Sequence, residues 1–315
     1  MPTSSASHDA AVVVRGLVKR YGGRAVVDGL DLEARSGAVT AVLGPNGAGK
    51  TTTIECCEGL RSPDGGSVRV LGHDPTDAEL HSRVGVMLQD SGLPTAVRAL
   101  EILQHVARMY ARPRDVGELA ERLGITSFAS TTVRRLSGGE RQRLALATAV
   151  VGRPEVVFLD EPSAGMDPQS RLAVWELIRE LRGEGVAVVL TTHLMDEAED
   201  LADHVYVVDH GHVIAQGTTT ELLTSEDATT MRLAARPGLD IGGLVRALVA
   251  ADGSPEWHVT EDDPGSYVVT GPVGPRTVAT VTAWLADRDE LLTRATVGRR
   301  TLEDVFLDLT GRHLR

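Results

Sequence analysis

The segment from Gly44 to Thr51, Gly-Pro-Asn-Gly-Ala-Gly-Lys-Thr, constrains this chain more than any other. It follows the apolar run Val39–Leu43, which is typical of a buried strand, and precedes a helical pattern that starts at Lys50. Glycines let successive backbone N–H groups turn toward phosphate oxygens, and a helix start adds positive partial charge. The same residues could form a glycine-rich turn that contains a lysine by chance, but such a turn need not lie between a buried strand and a helix. The segment, here called the phosphate loop, predicts a nucleotide site in which Lys50 neutralises the β and γ phosphates and Thr51 ligates Mg²⁺. The predicted phosphate-binding residues are Gly44, Pro45, Asn46, Gly47, Ala48, Gly49, Lys50, Thr51 and Thr52.

Short β-branched runs alternate with helical patterns from Ala11 to about Thr224. This alternation predicts an α/β domain over residues 11–224, with a helical subdomain at about 90–150 and a disordered tail at residues 1–10. Continuously apolar strands indicate a parallel sheet that is covered on both faces. The expected strands are Val12–Val14, Leu30–Glu33, Val39–Leu43, Val84–Leu88, Val156–Leu159, Val186–Thr191, His204–Asp209 and Val213–Ala215. The expected helices, besides the one at Lys50, are Ala99–Ala111, Gly117–Leu123, Glu140–Val151, Gln169–Arg182 and Met195–Leu201.

Residues 225–315 have a pattern of their own and are predicted to form a small α+β domain. The order of its elements, β-α-β-β-α-β, matches the ferredoxin-like split βαβ unit. A terminal amphipathic helix is expected at Leu302–Leu309, because Leu302, Val305, Phe306 and Leu309 fall on one helical stripe. The other expected elements are Thr230–Ala235, Asp240–Ala251, Trp257–Thr260, Tyr267–Thr270, Arg276–Ala286 and Leu292–Val297.

Composition excludes several classes of partner. The chain has 32 Lys and Arg against 44 Asp and Glu, a formal net charge of −12, which is opposite in sign to a non-specific nucleic-acid binder. We therefore expect no nucleic acid partner. The adjacent Cys56 and Cys57 cannot cross-link distant segments and fit a reducing compartment. The apolar runs have the length of strands, so we expect that the chain does not span a membrane by itself and that Met1–Ala10 is not an export signal.

Two carboxylates follow the apolar strand Val156–Leu159. Asp160 and Glu161 are placed by that strand at the carboxyl edge of the sheet, where α/β proteins bind ligands. Taken alone, the pair is also compatible with two acids that cap the next helix. Beside a phosphate loop, we predict that Asp160 belongs to the Mg²⁺ shell and that Glu161 polarises the attacking water.

The segment Leu136-Ser-Gly-Gly-Glu140, here called the signature segment, resembles the signature motif of ATP-binding cassette (ABC) proteins. Four further features follow the order of that family's motifs. Tyr21 corresponds to the family's aromatic residue that stacks on adenine, and Gln89 corresponds to its glutamine after a strand. Ser163–Asp167 corresponds to the family's D-loop, and His193 corresponds to its histidine after another strand.

The resemblance implies a P-loop ABC cassette that pairs head to tail with a second copy. Each of two ATP molecules then lies between the phosphate loop of one copy and the signature segment of the other. It also implies that Glu161 is the general base, that His193 positions the water and contacts the γ-phosphate, and that Gln89 completes the metal shell. The implied catalytic residues are Glu161, His193, Gln89 and Lys50; the metal ligands are Thr51, Gln89 and Asp160; the residues acting in trans are Ser137, Gly138, Gly139 and Asp167.

Two other segments resemble the multidrug exporter branch of the family, typified by daunorubicin/doxorubicin-resistance ATP-binding subunits. They are Gly85–Pro94 and the ending Thr301–Gly311. The resemblance implies an ATPase subunit that docks on the cytoplasmic face of a separate membrane permease and drives the export of drugs or other hydrophobic small molecules. One alternative is the ATPase of a solute importer. Another is a soluble non-transport ABC ATPase, although such proteins commonly have two cassettes or a coiled-coil insertion, and neither is found here.

Overall fold

The computed structural model describes residues 10–88, 92–223, 229–299 and 301–310. The chain divides into two units: the first comprises the residues up to Thr219 together with those from Leu309 onward, and the second covers Thr220–Asp308. The boundary expected at residue 224 and residues 1–9 of the expected tail lie outside the described residues. Ala10, which was expected to belong to that tail, is the first residue of a strand.

The first unit contains two sheets and the helices that cover them. Its strands are β1 (Ala10–Tyr21), β2 (Arg24–Arg35), β3 (Val39–Leu43), β4 (Gly65–Val70), β5 (Val84–Met87), β6 (Val156–Asp160), β7 (Ala187–Thr192), β8 (His204–Asp209) and β9 (His212–Gly217). The helices from Lys50 to Leu223 are α1 (Lys50–Cys57), α2 (Ala99–Ala107), α3 (Val116–Arg122), α4 (Gly138–Val150), α5 (Pro168–Gly183), α6 (Met195–Leu201) and α7 (Thr219–Leu223).

The larger sheet has the strand order β5-β6-β7-β3-β8-β9. The first five strands pair in parallel and β9 pairs antiparallel with β8. Every residue of β3, β6 and β7 is buried, as expected for parallel strands covered on both faces. Because these three strands are parallel neighbours, the residues that follow them, Gly44, Glu161 and His193, meet at one edge of the sheet.

The smaller sheet is antiparallel, with the order β2-β1-β4. Its inner face packs with α1 and one face of the larger sheet in a single core that includes Val12, Leu30, Val42 and Ile54. The sequence analysis found only short parts of β1 and β2 and missed β4. The register of β1 shifts at several places, including between Val14 and Leu17, so polar and apolar residues do not alternate regularly along it.

Two helix ends differ from expectation by more than one residue. The helix α4 begins at Gly138 rather than Glu140, because Ser137 and Glu140 form a capping box: the Glu140 carboxylate accepts from the Ser137 N–H at 2.7 Å, and Ser137 Oγ accepts from the Glu140 N–H at 3.3 Å. The helix α2 ends at Ala107, four residues before the expected end.

The second unit confirms the ferredoxin-like prediction. Its elements are β10 (Thr229–Ala234), α8 (Ile241–Asp252), β11 (His258–Asp263), β12 (Ser266–Thr270), α9 (Pro275–Ala286), β13 (Arg294–Arg299) and α10 (Leu302–Thr310). The sheet order is β11-β12-β10-β13, and each neighbouring pair is antiparallel, so β12 separates the two strands that α8 connects. Its core includes Tyr267, Trp257 and Trp284. Within α10, Asp304 forms an ion pair with Arg232 of β10.

The half-buried carboxyl of Glu58, in the first unit, is in an electrostatically unfavourable position. Glu58 is the C-cap of α1, so its side chain lies at the negative end of the helix dipole. Burial raises the pKa of Glu58 to about 8, and the negative charges of Asp160 and Glu55 act in the same direction. The folded state therefore favours the protonated acid, whereas the unfolded chain ionises near the ordinary value of 4.5.

A pH series on the isolated chain tests this assignment. Because the pKa is raised in the folded state, stability is lost as the pH rises from about 5 to 8 and then levels off. The isosteric Glu58→Gln variant has no proton to lose, so its Tm should exceed that of the parent by about 2–8 °C at pH 8, or roughly 1–2 kcal/mol, and match it at pH 5. Glu79→Gln, at an exposed carboxylate, is the control. Parallel Tm curves for Glu58→Gln and the parent would contradict the assignment.

Candidate active site

The phosphate loop needs glycine at the two positions where it approaches other strands most closely. A Cβ on Gly44 would lie 2.1 Å from the Val208 carbonyl oxygen, and one on Gly49 would lie 2.7 Å from that of Val26. Both glycines have positive φ, 157° and 103°. A side chain at either position would push the loop away from the strands that support it.

The side chain of Lys50 is buried at the start of α1. Its Nζ donates to the carbonyl oxygens of Gly44, at 2.7 Å, and Pro45, at 3.2 Å. Burial lowers the pKa of Lys50, whereas the charges of Glu161 and Asp160 raise it. The loop thus holds the ammonium group between its own carbonyls and beside the two acids.

The acidic pair after β6 is held by the neighbouring strand β7. Thr191 Oγ1 donates a hydrogen bond to Asp160 Oδ1. The backbone of Glu161 has a φ of 53°, an uncommon left-handed conformation for a residue with a side chain. Its N–H donates to the Thr191 carbonyl oxygen at 3.1 Å and Gln142 Nε2 donates to its carbonyl oxygen at 3.0 Å. These bonds fix the strained turn and direct the Glu161 carboxylate.

Glu161 and His193 are brought into direct contact. His193 Nδ1 lies 2.7 Å from Glu161 Oε2, and the imidazole is 40% exposed while the carboxylate is 10% exposed. The pair thus has one buried and one accessible member, an arrangement that suits a base and the residue that positions its water.

The signature segment lies against the D-loop of its own chain. A Cβ on Gly139 would be 3.5 Å from Met166 Cγ. In the same D-loop, Asp167 caps α5: its carboxylate accepts from the Ser170 N–H at 3.0 Å and from Ser170 Oγ at 2.6 Å, and these bonds lower its pKa. Gly139 therefore lies beside the D-loop, whereas a Cβ on Gly138 would meet no atom outside its own helix within 4 Å.

Tyr21 and Gln89 complete the predicted set. The ring of Tyr21 is 40% exposed, with Lys19 Nζ and Arg61 Cζ each 5.7 Å from its centroid, so an aromatic face with cations nearby is available to a nucleotide base. Gln89 lies outside the described residues.

The donor set near the phosphate loop fits Mg²⁺. Thr51 offers a hydroxyl and Asp160 a buried carboxylate, and hard oxygen ligands are those that Mg²⁺ prefers. Among the described residues there is no group of three or more His, Cys, Asp or Glu that could hold a metal ion.

Comparison with known proteins identifies the family. A family model described as ABC transporter matches residues 27–164. The daunorubicin/doxorubicin resistance ATP-binding protein DrrA of Streptomyces peucetius is 38% identical over 310 residues, which cover 96% of this chain and 92% of that protein. This chain belongs to the ABC transporter family. It is an ATP-binding subunit with the fold of an ABC ATPase, as predicted from the sequence.

Two further similarities extend the comparison. The Nod factor export ATP-binding protein I of Ralstonia nicotianae is 36% identical over 327 residues, covering 96% of this chain and 94% of that protein. A solved ATP-binding subunit of an ABC transporter has a TM-score of 0.62 at 25% identity, covering 67% of this chain and 91% of that one. ABC subunits of this kind form dimers and work with membrane permeases. In the described parts of the chain, no helix is both long enough and apolar enough to cross a membrane.

The residues that support the site were not predicted from the sequence. Thr191 and Gln142 hold the acidic pair, and Gly211, in the turn between β8 and β9, supports the phosphate loop from behind. The Gly211 N–H donates to the Ala48 carbonyl oxygen at 2.9 Å, and its own carbonyl oxygen accepts from the Asp28 N–H at 3.0 Å. The turn glycine was visible in the sequence, but no local pattern shows which loop it contacts.

Gly211→Ala should weaken ATP binding about tenfold to a hundredfold. The added Cβ would lie 2.5 Å from the Val26 carbonyl oxygen, so the turn must move and release its bond to the phosphate loop. Titration of the purified chain with ATP measures the affinity.

Gly185→Ala is the matched control, because Gly185 also has a positive φ, 89°, but a Cβ there meets no atom within 4 Å. Both variants pay a similar cost for the left-handed backbone, about 1 kcal/mol, and only Gly211→Ala should change the affinity. Equal ATP affinities for the two variants would contradict the supporting role.

Proposed function

We propose that this subunit hydrolyses ATP with Mg²⁺ at two sites shared between paired copies and thereby drives the export of drugs or other hydrophobic small molecules through a separate membrane permease. The observation that carries the proposal is the contact between Glu161 and His193 beside the buried Lys50. It unites a base, a positioning residue and a phosphate-neutralising cation at one edge of the sheet.

In the proposed reaction, the water oxygen forms a bond to the γ-phosphorus and the bond from that phosphorus to the ADP oxygen breaks. The Glu161 carboxylate accepts the water proton, and His193 holds Glu161 and the water in line. Lys50 neutralises charge on the transferred phosphoryl group. Mg²⁺, when bound, supplies further neutralisation; Thr51 and Asp160 would hold it, together with Gln89.

The dimer is supported by the placement of the signature segment. The helix α4 has 13 residues, and the N–H groups of Gly138 and Gly139 at its start suit an anion, with Gly139 beside the D-loop of its own chain. One chain thus has a phosphate loop and a second, separate anion-binding surface. Head-to-tail pairing brings the two kinds of surface together twice. The negative charge of the ATP phosphates is compensated fully only when both surfaces are present.

The names of two similar proteins favour export over import as the function of this subunit. DrrA is named for daunorubicin/doxorubicin resistance, and the second relative is named for Nod factor export. Both similarities extend over 96% of this chain, including the second unit. We place the subunit at the cytoplasmic face of the membrane, where ATP is supplied and where a permease can bind it.

Glu161→Gln tests the chemical step. The amide keeps the shape of the side chain but accepts no proton, so kcat should fall by about 10²–10⁴-fold while ATP binding is retained and ATP-bound dimers accumulate. Phosphate release and light scattering measure the two effects. Glu79→Gln, the same change at a side chain that is 77% exposed and lies outside the site, is the matched control. Full turnover in Glu161→Gln would overturn the assignment of the base.

A mixing experiment tests whether the sites are shared. Lys50→Ala removes the phosphate-neutralising cation. Gly138→Asp places a negative charge where the γ-phosphate of the ATP held by the partner copy would bind. An acidic residue is favourable in the first turn of a helix, so this variant should still form α4. Each variant alone should be inactive. An equal mixture should regain up to about a quarter of the activity, because half of the dimers are mixed and each of those has one intact site. If every site were formed within one chain, mixing would restore nothing.

A further inference from the structure

An open cavity of about 290 Å³ lies at the C-terminal end of α1. Leu80, Val84 and Val86 form apolar walls, and Glu58 and His81 contribute polar groups. Because α1 has eight residues, this end of the helix is about 12 Å from the phosphate loop at its other end. The cavity is therefore separate from the nucleotide site.

In the described parts of the chain, no lysine or arginine is paired with the carboxyl of Glu58. Among the described residues, its buried Oε1 has no hydrogen-bond partner. The nearby charges of Asp160 and Glu55 are negative, and the last turn of α1 has no basic residue. The nearest arginine in sequence, Arg61, is already paired with Glu55 at 2.9 Å. A negative group in a partly apolar cavity at the negative end of a helix lacks a cation.

The shape and chemistry of the cavity select the kind of cation. A lysine or arginine side chain has an apolar stem, which fits the walls of Leu80, Val84 and Val86, and a charged end that reaches the carboxyl. A metal ion fits less well, because burial strongly raises the pKa of the neighbouring Cys57 and so keeps its thiol protonated. Within the described segments, no group of three or more candidate ligands is found.

We propose that a lysine or arginine from a cytoplasmic loop of the membrane permease enters this cavity and pairs with Glu58. The proposal rests on the proposed function, which places the permease at the cytoplasmic face. Cytoplasmic loops of membrane proteins carry an excess of lysine and arginine, which complements both the cavity and the net charge of −12. A second copy of the chain is a weaker match, because head-to-tail pairing uses the other end of α1.

The contact would also explain why an unfavourable carboxyl is retained. In the isolated subunit, the neutral glutamine is the better residue at position 58. In the complex, the ionised carboxylate is the better one, because a buried partner cation restores the compensation that the chain lacks. Replacement should therefore affect stability and assembly in opposite directions.

The test uses the tagged full-length chain, expressed in its native host and extracted from membranes in mild detergent. Mass spectrometry measures the membrane protein recovered per copy of the chain. Relative to the parent, Glu58→Gln should reduce this recovery at least about tenfold, and Glu58→Lys should reduce it further. Glu79→Gln, with the same change in charge at a side chain that is 77% exposed, should leave the recovery within about twofold. ATP binding by each purified variant verifies its fold; if Glu58→Lys does not fold, the isosteric Glu58→Gln decides.

The possible outcomes are distinct. Restoration of the Glu58→Lys complex by a lysine or arginine to glutamate change in a permease loop would support the pairing. Equal recovery with the parent and Glu58→Gln would overturn it and leave the proposed function intact, whereas no membrane protein with the parent would overturn the proposed function as well. Binding of Zn²⁺ by the isolated chain that is lost in Glu58→Gln, with recovery unchanged, would identify a metal site and overturn the proposal. Loss of chain–chain cross-links alone would assign the cavity to a second copy and likewise overturn it.

Discussion

The register of three buried parallel strands determines the geometry of the nucleotide site. Leu43 of β3 pairs with Thr192 of β7, and Asp160 of β6 pairs with Thr191 of the same strand, so all three strands end at one level. Buried parallel strands cannot slip without breaking hydrogen bonds that no water replaces. The phosphate loop, the acidic pair and His193 are thereby held in one row before any ligand contributes.

The sequence predicted the parts of the site that have a local pattern. Lys50 is identified by the spacing of glycines, Glu161 by the end of an apolar strand, and His193 by the order of the family's motifs, whereas the direct contact between Glu161 and His193 was not predicted. Thr191, Gln142 and Gly211 were missed, because each acts through one hydrogen bond to a segment far away in sequence, such as the bond from Gly211 to Ala48. Such contacts are set by the tertiary fold and leave no periodicity.

The same distinction applies to the fold. The parallel strands and the ferredoxin-like order of the second unit follow from regular patterns of apolar residues. In contrast, β4 begins with two glycines, and β1 contains Gly16 at a φ of 57° where its register shifts, so neither shows the alternation of an ordinary strand. These strands are stabilised by pairing and by the core they share with α1 rather than by their own propensity.

Unfavourable groups in this unit lie at the two ends of α1. At the start of the helix, burial costs Lys50 part of its affinity for a proton, and two acids offset that cost. At its end, Glu58 has no such offset within the described chain. A helix of two turns moves as one body, so a shift of the phosphate loop that follows ATP binding or cleavage displaces the carboxyl as well. The position of Glu58 would therefore allow the proposed contact with the permease to respond to the nucleotide without a chain of intermediate side chains.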